Sequence, residues 1–340
     1  MLHPWWQAQQ SVELCDKSEF RDVDRFASIK NNWRNFFQYV DDLMRADWVV
    51  LPCDWKYYVK EHRTNTAYEF LVSMAAKGKR TMVQYYSDDA TPLNLSDIHP
   101  SPVVMRTSLF ASKRRPYEHT MPGFIGEPMR IYGPKGSITR EKQGKPTVGF
   151  CGQTSPSLIA DDELERLLLS HDISDAQIYT CRSAVLDYIQ RSPRLNSDVI
   201  RRHGYCAGIS HANDTSALRR VRQEYYANMF GSDYMLCMRG KGNYSYRFYE
   251  TLACARIPIL VDTDSPLPFS DSIRWLDHCV FIQARDVKHI GDIVADHYAS
   301  LSDDRFRAMQ LRNHALWQTM LTPEMYFSRM FRKLSHEEWT

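Results

Sequence analysis

Residues 232–269 read SDYMLCMRGKGNYSYRFYETLACARIPILVDTDSPLPF. YMLCM (234–238) is an apolar run of strand length, and IPILVD (257–262) is a second one. Between them lie a glycine-rich basic loop, Arg239-Gly240-Lys241-Gly242-Asn243, and a helical segment from about Ser245 to Ala255. Two apolar strands joined through a helix form a βαβ unit, whose parallel strands are buried on both faces. An α/β fold follows from this stretch alone.

The same alternation runs outward in both directions. Upstream, TVGFCG (147–152) reads as a strand, with helices around 160–170 and 182–191 and an amphipathic segment at 216–230. Downstream, VKHIGDIVADHY (287–298) is helical, and Pro323 stands at a helix start. In the first half WVVLP (48–52), TMVQYY (81–86) and VVMRTSLF (103–110) are strand candidates, and 66–77 reads as a helix. Residues 29–45 carry a helical stripe of Ile29, Trp33, Phe36, Phe37, Val40, Leu43 and Met44. GPKGSITREKQGKP (133–146), rich in glycine, proline and basic residues, breaks the pattern as a linker would. The expected organisation is one α/β domain over 1–140 and a second α/β domain over 145–320. A tail over 321–340 is expected to pack back on the first domain. A chain of 340 residues has material for two such cores.

Charge and cysteines narrow the function classes. Forty-three basic side chains nearly cancel 41 acidic ones, so the net charge is only +2. A protein that grips nucleic acid through its phosphates shows a basic excess, and nucleic acid is not expected as a partner. Eight cysteines stand singly, without CxxC pairs, as buried thiols do in a reducing compartment. MLHPWWQAQQ lacks the basic start and apolar core of a secretory signal. No apolar run reaches the ~18 residues of a membrane span, so any membrane contact is expected to be peripheral and the location cytoplasmic.

The central loop has the chemistry of an anion seat. Its glycines let backbone approach a ligand closely, and the following helix N-terminus offers unpaired N–H groups. Arg239, Lys241 and Arg247 add full charges, Ser245 adds a hydroxyl, and Asn243, Tyr244 and Tyr246 flank them. A diphosphate suits such a seat. Glu250, five residues beyond Ser245, is placed to accept the hydroxyls of a ribose; alternatively it pairs with Arg247 at i,i+3.

The stretch from Ser232 to Asp264, with Leu267-Pro268-Phe269 and Ile273-Arg274-Trp275 after it, resembles the exostosin family of glycosyltransferases. The family pattern has a strand ending in a Gly/Arg loop, then Ser-x-Arg-Phe-x-Glu, a small-residue stretch and Ile/Val-Pro-Val/Ile. It closes on Leu-Pro-Phe and Ile-x-Trp. The resemblance covers about 50 residues, extends less closely to about 298, and is loose in the first half. It implies an inverting transferase of the GT-B architecture, with two Rossmann-like domains facing across a cleft. The donor would be a nucleotide sugar, UDP-linked, and the acceptor a glycan hydroxyl, as in polysaccharide biosynthesis; no cofactor or metal is implied. A chain without a membrane helix fits a bacterial or viral type of member. Carried over, Arg239, Ser245 and Arg247 would face the diphosphate and Glu250 the ribose, and Arg182 would reach the phosphates from a helix start.

Inverting transfer also needs a base for the acceptor hydroxyl. Open parallel sheets place ligands at the carboxyl ends of their strands, where Asp88 is the first candidate and Asp89 and Asp54 the alternatives; His119 is an outside choice. Asp262-Thr263-Asp264 spells the Asp-x-Asp metal signature of a different transferase fold, but within the exostosin pattern it carries no metal role. The competing class is a non-catalytic carbohydrate- or nucleotide-binding subunit, which would be recognised by the lack of a usable base.

Overall fold

The structure, a computed structural model, describes residues 38–156, 158–209 and 215–336. The first unit has strands β1 (Trp48–Val50), β2 (Arg80–Tyr85), β3 (Val103–Arg106) and β4 (Glu118–Thr120), with helices α1 (Trp55–Lys60) and α2 (Thr64–Ala76) after β1 and α3 (Pro128–Tyr132) after β4. Its four strands pair in sequence order, all parallel. The second unit contains β5 (Thr147–Gln153), α4 (Asp161–Leu168), α5 (Asp175–Arg191), β6 (Asn196–Arg202), α6 (Thr215–Gly231), β7 (Tyr234–Cys237), α7 (Tyr246–Ala253), β8 (Ile257–Val261), β9 (Val280–Ile282), α8 (Ile290–Ser300) and α9 (Asp303–Leu316). Its five strands are also all parallel, in the order β6-β5-β7-β8-β9. The expected α/β class, with two parallel sheets flanked by helices, is what forms.

Parallel strands covered by helices must be apolar on both faces, and β7 and β8 are buried at every position. Phe150, Leu236, Ile259 and Val185 fill one face of the second sheet; Met235, Phe248, Leu252 and Trp275 fill the other. Each fully buried side chain of this size contributes ~1.5–3 kcal/mol of burial free energy. The last helix, α10 (Pro323–His336), lies on the first sheet: Tyr326, Phe327, Met330 and Leu334 share a core with Met82, Val103, Met105 and Phe124. The Tyr326 hydroxyl donates to the Thr120 carbonyl at 2.9 Å, fixing that docking.

Several expectations need correction. β6 is strand of mixed polarity, NSDVIRR, without the apolar run that would announce it; it is an edge strand, so one side faces no neighbour. The three-residue β4 offers too little pattern to read. VVMRTSLF stays a strand only to Arg106. The stripe over 29–45 falls largely outside the described residues; its end, Leu43–Arg45, is a single 3-10 turn. Helix α5 begins at Asp175, because Ser174 and Gln177 form a capping box there, so Arg182 sits mid-helix. The six cysteines whose side chains are described, Cys53, Cys151, Cys181, Cys237, Cys254 and Cys279, are free thiols; Cys15 and the Cys206 side chain lie outside what the structure describes.

Candidate active site

The carboxyl ends of β2, β5 and β7 converge on a cavity of about 690 Å³ between the two sheets. The first unit contributes Lys56, Tyr86, Ser87 and Asp88; the second contributes Arg182, Lys241, Tyr244, Ser245, Tyr246, Arg247 and Glu250. Strands that end together and loops that open there are what parallel topology offers a ligand.

Three guanidinium groups, Arg182 and Arg247 in this wall and Arg239 beside it, are each held by backbone carbonyls. Arg182 donates to the carbonyls of Gln153 at 2.8 Å and Arg239 at 3.0 Å. Arg247 donates to Cys151 O at 2.7 Å and lies 4.2 Å over the Phe150 ring. Arg239 donates to Ser170 O at 3.4 Å and Lys241 O at 3.3 Å, over the Phe110 ring. The buried Nε of all three has no partner. Burial lowers Arg182 to about 10, with Arg247 adding to the effect, and burial alone lowers Arg239 to about 10. All three therefore remain cations at neutral pH. Carbonyl dipoles offset part of their desolvation but leave their charge, a field suited to an anion of two or more negative charges. Arg239 lies in a small recess with Tyr244 and Ser245, behind the main cavity.

Ser245 is the residue before α7, and its side chain makes no capping bond, leaving it to face the cavity. Lys241 is exposed on the loop. Gly152 permits the approach of Arg247: a Cβ there would lie 2.8 Å from Nη2. Asn243 has a different place. It is fully buried, its amide donates to Leu109 O and Thr263 O, and its oxygen accepts from the Thr263 hydroxyl. It is a strut beneath the loop, outside the cavity lining, and not a ligand group.

Glu250 lines the cavity and accepts hydrogen bonds from the hydroxyls of Tyr225 at 2.5 Å and Tyr226 at 3.2 Å. Burial, reinforced by Glu250, pushes both phenols far above their ordinary range, so they stay donors. An ionised carboxylate has about four acceptor positions, which leaves two for a ligand. Arg247 is occupied with strand carbonyls, so the i,i+3 pairing is not what holds Glu250. Tyr225 and Tyr226 were missed in the sequence because SALRRVRQEYYANMF reads only as an amphipathic helix.

The candidate bases separate clearly. Asp88 faces the cavity, with Oδ1 3.2 Å from the Tyr244 hydroxyl. Asp89 turns back to accept the Tyr85 hydroxyl at 2.6 Å and the Thr91 N–H at 2.8 Å. Although burial raises the Asp89 carboxyl, these bonds hold it below the usual range. Asp54 caps α1, accepting the N–H groups of Lys56 and Tyr86 at 2.8 Å each, and burial raises it to about 6. His119 lies on β4, away from the lining residues. The Asp-x-Asp trio is a tie between units: Asp264 accepts the Ser112 N–H, and Asp262 accepts the Asp264 N–H at 2.9 Å. Among the described residues no group of three His, Cys, Asp or Glu side chains is arranged to hold a metal.

The model of the Exostosin GT47 domain matches residues 180–296. Residues 180–296 are thus similar to an exostosin domain. A rice (Oryza sativa subsp. japonica) protein named "Probable glucuronosyltransferase" is 30% identical over 124 residues, 34% of this chain and 29% of its own length. An Arabidopsis thaliana "Probable beta-1,4-xylosyltransferase" is 30% identical over 122 residues, 33% of this chain and 29% of its own. The "Exostosin-1 homolog" of Caenorhabditis elegans is 31% identical over 94 residues, 28% and 23% of the two chains. The matched part thus spans well under a third of each of these relatives. Among solved structures TarM aligns with a TM-score of 0.38 at 9% identity, over 77% of this chain and 51% of its own. The matched region runs from within α5 to within α8 and therefore includes Arg182, Arg239, Arg247 and Glu250, but none of the residues that the first sheet brings to the cavity. No helix among the described residues is long and apolar enough to cross a membrane.

Proposed function

We propose that this protein is an inverting glycosyltransferase that moves a sugar from a UDP-linked donor to a hydroxyl of a glycan acceptor, without a metal. The observation that carries the reading is a single cavity with carbonyl-held arginines on one wall and an available carboxylate, Asp88, on the other. The diphosphate would lie against Arg182, Arg247, Lys241 and the first turn of α7, and the ribose would reach Glu250. Asp88 takes the proton of the acceptor hydroxyl as its oxygen attacks the anomeric carbon. The carbon–oxygen bond to the diphosphate breaks with inversion, and its electron pair leaves on the β-phosphate. The arginines stabilise the charge that grows there. They do the work a divalent cation would otherwise do, and the Asp262 and Asp264 carboxylates are already engaged in backbone bonds.

The test is calorimetric titration with UDP, GDP and CMP, with and without EDTA. UDP release from UDP-glucuronic acid and UDP-xylose in the presence of oligosaccharides is followed in parallel. EDTA-insensitive UDP binding, lost in Arg247→Ala, and acceptor-dependent release support the reading. Binding of no nucleotide would sink it; binding without transfer would leave a non-catalytic module.

A further inference from the structure

Arg106 ends β3 and Glu118 begins β4, and both side chains are fully buried as an ion pair at 2.6 Å. Replacing such a pair by apolar residues is often neutral or stabilising, so its presence calls for a use beyond cohesion. The remaining bonds of the pair go mainly to one segment. Arg106 donates from Nη2 to Asp89 O at 2.7 Å and from Nη1 to Thr91 O at 2.8 Å. Glu118 accepts the Leu93 N–H at 3.3 Å, and its other oxygen accepts the Arg115 N–H at 2.9 Å. Beside them the Thr107 hydroxyl donates to Ser87 O at 2.9 Å. The segment after β2 is therefore gripped by backbone groups at residues 87, 89, 91 and 93, every second residue. Residue 88 falls between two grips, and its side chain projects the other way, into the cavity.

We propose that Arg106, Glu118 and Thr107 are positioning residues that hold the 87–93 segment so that Asp88 meets the acceptor hydroxyl. The inference rests on the function proposed above and deepens it. Misplacing a reacting group by about 1 Å can cost on the order of 100-fold in rate. The nucleotide wall belongs to the second unit and is untouched by these bonds. Loosening the grip should thus lower turnover and spare nucleotide affinity.

The experiment compares wild type with Arg106→Lys, which keeps the charge but loses the planar fork, and with Thr107→Val, which removes one grip and leaves the ion pair. Three quantities are read: UDP affinity by calorimetry, amide exchange over 87–93, and UDP release at saturating donor. Expected are exchange faster by about tenfold, UDP affinity within about twofold, and turnover down about 10–100-fold for Arg106→Lys, with a smaller drop for Thr107→Val. Turnover that stays at the wild-type level in both variants, or exchange that does not change, overturns the inference alone. A wild type that transfers nothing sinks the transferase reading and this inference with it. If Arg106→Lys does not fold, the Thr107→Val comparison decides by the same criteria.

Discussion

The Tyr244 hydroxyl lies 3.2 Å from Oδ1 of Asp88, across the cleft between the two sheets. The contact joins the loop of the exostosin-like region to the aspartate after β2 that faces the cavity, so the proposed base and the proposed diphosphate seat stand a few ångströms apart. Asp88→Asn keeps the shape and removes the basicity. Its transfer rate is expected to fall by about 100–10,000-fold while UDP affinity stays within about twofold. Tyr244→Phe, which removes one hydrogen bond, should cost no more than about tenfold. Initial rates of UDP release measure both, and an Asp88→Asn protein that still transfers at the wild-type rate removes Asp88 as the base.

Gly242 makes that approach sterically feasible. A Cβ at this position would lie 2.9 Å from both Cα and Oδ1 of Asp88 and 2.6 Å from the Tyr244 ring. One of those atoms is backbone and cannot rotate aside, so the cleft wall must shift in Gly242→Ala. Transfer is expected to drop more than about tenfold, because catalytic geometry is lost before binding is. Gly240, two residues earlier, has open space where its Cβ would go, and Gly240→Ala should be the milder change. Equal rates for the two variants would contradict the steric argument.

The loop and its flanking strands were legible because their chemistry is local. Arg239, Ser245, Arg247 and Glu250 sit within twelve consecutive positions whose strand, turn and helix are set by nearest neighbours. Arg182 was found only through the resemblance, and its place in mid-helix depends on the Ser174 cap, eight residues upstream of it. Asn243 misled because a glycine-rich loop suggests ligand contact for every polar member. Only the packing of Leu109 and Thr263, distant in sequence, turns its amide inward. Asp88, Asp89 and Asp54 could not be ranked securely from sequence, since which carboxylate is left uncommitted depends on Tyr85, Thr91, Lys56 and Tyr86 donating to the other two.

The placement of Asn243 predicts a stability defect where a ligand role would predict an affinity defect. Its amide satisfies two buried carbonyls and its oxygen takes the Thr263 hydroxyl. Asn243→Ala leaves these groups buried without partners, a loss of about 2–4 kcal/mol. Asn243→Asp should be worse, because it turns an acceptor toward the Leu109 and Thr263 carbonyls. Thermal unfolding reads both; midpoints equal to wild type with weakened UDP binding would restore the ligand role.

Two titrations on the first sheet oppose one another in the same pH window. Burial raises Asp54 to about 6, against the N–H groups of Tyr86 and Lys56. Burial lowers His119 to about 4, with Lys333 and Arg114 assisting and Asp271 opposing. Unfolded, the two groups titrate near about 3.9 and 6.5. Between about pH 4 and 6 native Asp54 holds a proton that the unfolded chain releases, so its contribution falls as pH rises. Over about pH 4 to 6.5 the unfolded chain protonates His119 and the native one does not, so that contribution falls as pH drops. The two slopes nearly cancel in the wild type. Asp54→Asn, which can still cap α1, should tilt the curve toward stability rising with pH, by up to about 3 kcal/mol across the window relative to wild type. His119→Gln should tilt the curve the other way, toward falling with pH relative to wild type over the same range. Thermal midpoints measured from pH 4 to 7 separate the three proteins; parallel curves would show that neither burial shifts its group as the packing requires.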